Sequence, residues 1–108
     1  MDLNIPFIDK IVSLIVSRVN PDQIVLFGSY AKGENRNTSD IDLLILKKNL
    51  KNAKVITDNL YMSFFDNNIK IPVDLIIVDY DKYNILKKEI GYIYKTINEE
   101  GKLIYGTA

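Results

Sequence analysis

Three aspartates lie at the beginnings of two apolar segments of the chain. Asp40 and Asp42 stand two residues apart at the start of the apolar run 41–46, and Asp74 is the second residue of the run 73–78. Alternate side chains of a strand point to the same face, so Asp40 and Asp42 should share one face. If the two strands are neighbours, three carboxylates converge and oppose their joint ionisation. A bound Mg²⁺ ion would offset this repulsion, because Mg²⁺ prefers carboxylate oxygens, waters and substrate phosphates as ligands.

A glycine and a serine, Gly28 and Ser29, directly follow another apolar run, 24–27. Glycine lets the backbone approach a phosphate closely, and the serine hydroxyl can add a hydrogen bond. A short helical turn through 30–32 would present further amide groups to an anion. The pattern therefore indicates an anion site next to the first strand.

Each of these patterns is common when it occurs alone. A lone Asp-x-Asp usually marks a solvated strand end or a turn, and a second pair, Asp79 and Asp81, is interpreted as turn and cap residues. The combination is more selective. Gly-Ser, ten intervening residues and Asp-x-Asp arise by chance in a chain of this size on the order of once in a thousand.

The composition narrows the chemistry further. The 108 residues include no His and no Cys, which excludes thiolate nucleophiles, cysteine-ligated metals and the commonest general base. Acidic and basic side chains number 14 each, which argues against broad, nonspecific nucleic-acid binding. Residues 1–7 do not resemble a secretory signal, and no apolar stretch approaches the roughly 20 residues of a membrane span. We expect no membrane association and a cytoplasmic location.

The elements that position these residues follow from hydrophobic periodicity. The spacing predicts helices over 8–19 and 53–64, a third helix that Asp81 caps and Gly101 ends, and a short edge strand at 103–105. The runs 24–27, 41–46 and 73–78 predict strands covered on both faces. The apolar face of the third helix comprises Tyr83, Leu86, Ile90, Ile93 and Ile97. We predict a single small domain, 1–108, of the α/β (α+β) class, with a mixed β-sheet flanked by helices.

Over nearly its whole length the chain resembles the minimal nucleotidyltransferases of the DNA polymerase beta superfamily, in particular the MntA-like antitoxins of HEPN/MNT toxin–antitoxin pairs. The resemblance rests on three segments, 28–33 (GSYAKG), 40–45 (DIDLLI) and 73–76 (VDLI). It implies the polymerase-beta-like nucleotidyltransferase fold. It also implies transfer of AMP from ATP to a hydroxyl, a tyrosine of a HEPN-type ribonuclease toxin, with release of pyrophosphate. The chain would form a hetero-oligomer with that toxin.

The resemblance also implies roles for individual residues. Gly28 and Ser29 would hold the nucleoside triphosphate, Asp40 and Asp42 would ligate two Mg²⁺ ions, and Asp74 would complete the metal site and help to activate the attacking hydroxyl. Lys32 stands where many relatives have arginine and would bind phosphate as a point charge.

Three alternatives stay open from the sequence. Arg36 in the spacer either reaches a phosphate or is a solvated loop charge. The chain could neutralise its partner by binding alone, as a non-catalytic antitoxin. It could also be a nucleotidyltransferase acting on RNA or a small molecule.

Overall fold

A computed structural model describes residues 4–36 and 38–107 of the chain. A four-stranded mixed sheet with the strand order β3-β2-β1-β4 forms its centre. The strands β2 and β3 are parallel, whereas β1 is antiparallel to both β2 and β4. In chain order the elements are α1 (Ile8–Val19), β1 (Gln23–Phe27), α2 (Gly28–Lys32), β2 (Ile41–Lys47), α3 (Ala53–Asp66), β3 (Val73–Asp79), α4 (Tyr80–Leu86), α5 (Ile93–Glu100) and β4 (Lys102–Tyr105).

The two faces of the sheet carry different helices. On one face α1 and α3 pack against alternate residues of β1 and β2, including Leu26 and Leu43. On the opposite face α4 and α5 pack through Tyr83 and Ile97 on a second apolar cluster that includes Leu44. Consecutive residues of β2 thus enter different clusters, as the two-residue period of a strand requires. The predicted mixed sheet flanked by helices is confirmed.

The helix α1 shows how local sequence sets an element. Its buried residues are Ile8, Ile11, Ile15 and Val19, which lie on one helical face at spacings of three and four. The helix ends where Asn20 adopts a left-handed backbone conformation, with φ of +50°, before Pro21. The predicted boundaries of this helix are confirmed, as is the predicted start of α3 at Ala53, but α3 continues two residues beyond the predicted 53–64, to Asp66.

The expectation that all three apolar strands are covered on both faces is wrong for β3. In β1 and β2 the central residues are buried, but Leu75, Ile76 and Ile77 of β3 are only partly buried and Asp74 is exposed. The reason is the strand order, because β3 lies at the edge of the sheet beside β2. An edge position leaves one side of a strand open to water.

The prediction of a single helix between Asp81 and Gly101 is also wrong. The chain forms α4, leaves the helical conformation, and starts α5 only at Ile93. Gly91 between them has φ of +98°, which a continuous right-handed helix does not allow. Asp79, rather than Asp81, caps α4, since its carboxylate accepts hydrogen bonds from the N–H groups of Asp81 and Lys82 at 3.1 and 3.2 Å.

No helix in the described ranges combines the length and the apolar character that crossing a bilayer requires.

Candidate active site

The parallel pairing of β2 with β3 brings the predicted acidic residues to one end of the sheet. Asp42 and Asp74 are paired directly across the two strands. Both occupy positions whose side chains point to the sheet face that carries α4 and α5, because Leu44 and Val78, at even spacing from them, lie in that apolar cluster. Asp40, one residue before β2, lies within hydrogen-bonding reach of the Asp74 carboxyl group. The sequence prediction that the three carboxyl groups are neighbours is confirmed.

Burial and the neighbouring negative charges oppose ionisation of the carboxyl groups in this cluster. Partial burial, followed by the negative charges of Asp74 and Asp40, raises the pKa of Asp42 from 3.8 to about 6. Burial also raises the pKa of Asp74, and the hydrogen bond and the charge of Asp40 raise it further. Within the described residues, no three acidic side chains are already placed as a set of metal ligands. The three carboxyl groups are thus close and mutually repelling, but they do not form a finished ligand set.

Gly28 lies against Asp42 because of the antiparallel pairing of β1 with β2. Phe27, the last residue of β1, is the register partner of Asp42, so the next residue turns directly over the carboxylate. Gly28 has φ of +73°, and a Cβ atom at this position would collide with an Asp42 carboxylate oxygen. Glycine meets both conditions without backbone strain and without a shift of the Asp42 side chain. The Gly-Ser and Asp-x-Asp patterns, ten residues apart in sequence, are therefore in direct contact.

The helix α2 begins at Gly28 and presents Ser29 and Lys32. Ser29 is partly buried in its first turn, and its carbonyl oxygen accepts a hydrogen bond from the N–H of Glu34 at 2.9 Å. The ammonium Nζ of Lys32 lies 3.3 Å from Oε2 of Glu100, the last residue of α5. The predicted helical turn after Gly-Ser is confirmed.

A narrow cleft separates α2 from α5 on the sheet face that carries the aspartates. Its volume is about 110 Å³, and it is lined by Phe27, Gly28, Lys32, Ile93, Thr96, Ile97 and Glu100. Sequence reasoning missed the contribution of α5 to this region. Nothing in the local sequence of Thr96 or Glu100 distinguishes these residues from the solvated face of any helix, so no local signal could have found them.

Arg36 is not brought together with Lys32. Its side chain is exposed and lines a different depression, of about 330 Å³, with Tyr30 and Lys70 among its neighbours. Its backbone closes a turn with Ser39, because the Arg36 N–H donates to Ser39 Oγ at 2.7 Å and the Ser39 N–H donates back to the Arg36 carbonyl at 3.0 Å. The turn leads into Asp40.

Comparison with solved structures finds the same fold in toxin–antitoxin complexes. One complex, solved with AMP-PNP, contains a chain that is 26% identical, with a TM-score of 0.63 over 92% of this chain and 73% of that one. A mutant of the MntA–HpeT toxin–antitoxin has a chain that is 26% identical, with a TM-score of 0.59 over 92% of this chain and 72% of that one.

A further complex holds a tri-AMPylated Shewanella oneidensis HEPN toxin with its MNT antitoxin. The identity there is 24% and the TM-score 0.53, over 92% of this chain and 69% of the matched chain, which shows a shared fold. Among curated proteins no sequence matches the chain.

The model of the family described as "Polymerase beta, Nucleotidyltransferase" matches residues 9–108. The match includes the glycine–aspartate contact, all three carboxyl groups and both faces of the sheet, so this chain belongs to the polymerase beta nucleotidyltransferase family.

Proposed function

We propose that the chain transfers AMP from ATP to a hydroxyl group, a tyrosine, of a HEPN-type ribonuclease toxin and so acts as its antitoxin. The observation that carries this proposal is the contact between Gly28 and the Asp42 carboxylate beside Asp74, since it joins a close-approach point for phosphate to an acidic cluster. Family membership supplies the reaction class. The likeness to a toxin–antitoxin complex solved with AMP-PNP supports the nucleotide and the kind of partner.

In this proposal the strand end and α2 hold the nucleotide. Gly28 admits the phosphate chain next to the backbone, the hydroxyl of Ser29 donates a hydrogen bond to a phosphate oxygen, and Lys32 contributes positive charge. Arg36 lines the separate depression beside Tyr30, so in this proposal Lys32, which shares a cleft with Gly28, supplies the nearer positive charge. Holding the α-phosphate in line with the acceptor is the main contribution of these residues.

The acidic residues suit a hard cation. Their donors are carboxylate oxygens, and burial together with the neighbouring acidic charges raises the pKa values of Asp42 and Asp74, which a bound cation would oppose. Asp40, Asp42 and Asp74 would hold magnesium, as two ions in this family's pattern. The metal, when bound, supplies Lewis-acid stabilisation of the charge on the phosphates and lowers the pKa of the acceptor hydroxyl.

Asp74 has a further role in the proposal. It is exposed on the edge strand, where an acceptor hydroxyl from another molecule can approach, and its carboxylate Oδ atoms can take the hydroxyl proton. The acceptor oxygen then forms a bond to the α-phosphorus, and the bond from that phosphorus to the bridging oxygen of the β-phosphate breaks. Pyrophosphate leaves with that electron pair.

The acceptor lies outside this chain. In this proposal residues 1–108 form one nucleotidyltransferase domain, and the docked toxin supplies the acceptor hydroxyl. Chain and toxin would form a hetero-oligomer in the cytoplasm, where a ribonuclease meets its RNA.

The test is transfer of label from ATP labelled at the α-phosphate, with Mg²⁺ and a candidate HEPN-type toxin. We expect the Asp40→Asn, Asp42→Asn double variant to lose at least about 100-fold in transfer rate, the scale for removing electrostatic stabilisation of a transition state. The matched control is Asp79→Asn with Asp81→Asn. It removes the same two charges at the same spacing and keeps a capping side chain, so it should retain transfer.

The outcomes separate the remaining functions. Unchanged transfer in the Asp40→Asn, Asp42→Asn variant would refute the proposed metal site. If that variant still neutralises the toxin without transferring label, neutralisation depends on complex formation. Label recovered on RNA or on a small molecule, with none on the toxin, would assign a different acceptor.

A further inference from the structure

One ion pair connects the two walls of the α2–α5 cleft. Lys32 Nζ and Glu100 Oε2 lie 3.3 Å apart, and their side chains are 42% and 47% exposed. Lys32 is one of the residues assigned above to the phosphate chain, and Gly28 lies in the same cleft. The negative partner therefore stands where the proposed function requires an anion to arrive.

The cleft between α2 and α5 is narrow while this pair is closed. Its volume is about 110 Å³, whereas sites for small organic ligands usually begin near about 300 Å³. The walls next to the pair are a backbone glycine and the side chains of Ile93 and Thr96. A phosphate chain that enters beside Gly28 and reaches Lys32 competes with Glu100 for the ammonium, because two anions at one ammonium repel each other.

We propose that Glu100 is a specificity-determining positioning residue for the nucleotide. It holds Lys32 across the cleft and competes for it with any phosphate chain long enough to reach Lys32, so it weakens the binding of a nucleoside triphosphate more than that of a monophosphate. This inference rests on the proposed nucleotidyltransferase function and adds to it a residue that discriminates by the length of the phosphate chain.

The size of the effect follows from the exposure of the pair. Exposed ion pairs are screened by water and salt, and they change equilibria by a factor of up to about five. A ligand with several phosphate charges exceeds that competition easily. The single phosphate of a monophosphate occupies the α-position next to the aspartate cluster. Its binding therefore gains nothing from Lys32, whether or not Lys32 is paired with Glu100.

The experiment measures dissociation constants by calorimetry, with Mg²⁺ and without an acceptor, for ATP, AMP and inorganic tripolyphosphate. We expect Glu100→Gln to bind ATP and tripolyphosphate about three- to fivefold more tightly than the unchanged protein, and AMP less than twofold more tightly. The gain should shrink as ionic strength rises. In transfer assays the variant should lower KM for ATP and leave kcat within about twofold.

The matched control is Glu99→Gln. Glu99 is the preceding residue of the same helix, and it pairs with Lys95 at 2.6 Å instead of Lys32. This substitution makes the same change in net charge, so it should leave all three dissociation constants unchanged. A second check is Glu100→Gln in a Lys32→Ala background, where the gain in ATP affinity should disappear.

Several results would overturn the inference. These are equal ATP affinity in Glu100→Gln and Glu99→Gln, an equal gain for AMP and ATP, and a gain that persists without Lys32. Thermal unfolding of each variant shows whether it remains folded, and Glu100→Asp, which keeps the charge, should restore the original affinities. Failure of the unchanged protein to bind ATP at all would instead refute the proposed function.

Discussion

At the level of single residues, the site depends on a close fit between one glycine and one carboxylate. Gly28 occupies a backbone conformation that favours glycine and leaves no room for a Cβ atom next to Asp42. The carboxylate, partly buried and faced by two other acidic groups, has a pKa of about 6. Such a group suits cation binding and opposes folding in the absence of a cation.

The first prediction concerns that cost to stability. The pKa of Asp42 is about 6 in the folded chain, whereas its usual value is 3.8. Between these two pH values the folded state therefore binds the proton more tightly than the unfolded state does. The contribution of this group to the free energy of unfolding is fully present below about pH 4 and is lost as the pH rises through about 6. We therefore expect Asp42→Asn to be more stable than the unchanged chain at pH 7 without metal.

The expected gain is about 1 kcal/mol, which is smaller than the full shift implies because the group is largely solvent-screened. Thermal unfolding at pH 4 and pH 7 in the presence of EDTA measures it. The gain should be present at pH 7 and nearly absent at pH 4. A gain of equal size at both values would mean that ionisation of Asp42 does not cause it.

At the level of elements, the interruption between α4 and α5 decides which apolar residues belong to the core. Ile97 is 2% exposed and lies under α5 against the sheet, whereas Ile90 in the connection is 89% exposed. The spacing of these two residues is compatible with one helical face, but Gly91 separates them by a left-handed backbone conformation. The break also directs Thr96 and Glu100 of α5 toward α2.

The second prediction compares these two isoleucines. Ile97→Ala should lower the free energy of unfolding by about 2–5 kcal/mol, because it removes a buried side chain and leaves a cavity. Ile90→Ala should change it by less than about 0.5 kcal/mol, as is usual for exposed positions. Urea unfolding measures both values. Equal losses at both positions would support one continuous buried helix.

At the level of the whole molecule, the proposed ligand would bind where parts of the chain that are distant in sequence come together. The aspartates stand at the starts of β2 and β3, Gly28 follows β1, and Glu100 ends α5. A ligand that binds only the folded arrangement of these parts stabilises it by mass action. The stabilisation reaches about 2.7 kcal/mol when the free ligand is about 100 times Kd.

The third prediction is that Mg²⁺ with ATP raises Tm by several degrees and that EDTA reverses the rise. The Asp40→Asn, Asp42→Asn variant should show no such rise, while the Asp79→Asn, Asp81→Asn control should show it in full. Differential scanning fluorimetry measures all three proteins. A rise of the same size in the first variant would mean that ATP binds without the aspartate cluster.

Features that depend on neighbouring residues could be predicted from the sequence. The helix α1 follows from isoleucine and valine spacing and ends at Asn20, and the strands β1, β2 and β4 lie at nearly their predicted bounds. The neighbouring positions of Asp40, Asp42 and Asp74 were predicted on the condition that β2 and β3 are adjacent, which the pairing satisfies. Each inference uses the fixed period of a strand or helix.

Features that depend on packing could not be predicted from the sequence. Burial of β3 on both faces was expected from its apolar residues, but its edge position decides exposure, and strand order is not a local property. The apolar spacing in 83–97 fits a helix equally well with or without a break. Only the backbone at Gly91 and the docking of Ile97 on the sheet distinguish the two cases.

The covalent order of the chain thus specifies the chemical groups of the candidate site, namely carboxylates two residues apart and a glycine before a serine, since side-chain type and spacing follow directly from sequence. It does not specify that Glu100 meets Lys32, which precedes it by 68 positions. That contact requires α5 to dock on the sheet through Ile97 and β4 to pair with β1. Such long-range contacts form only when the buried surfaces of several elements fit together, because the pairing of distant segments depends on the whole packed core.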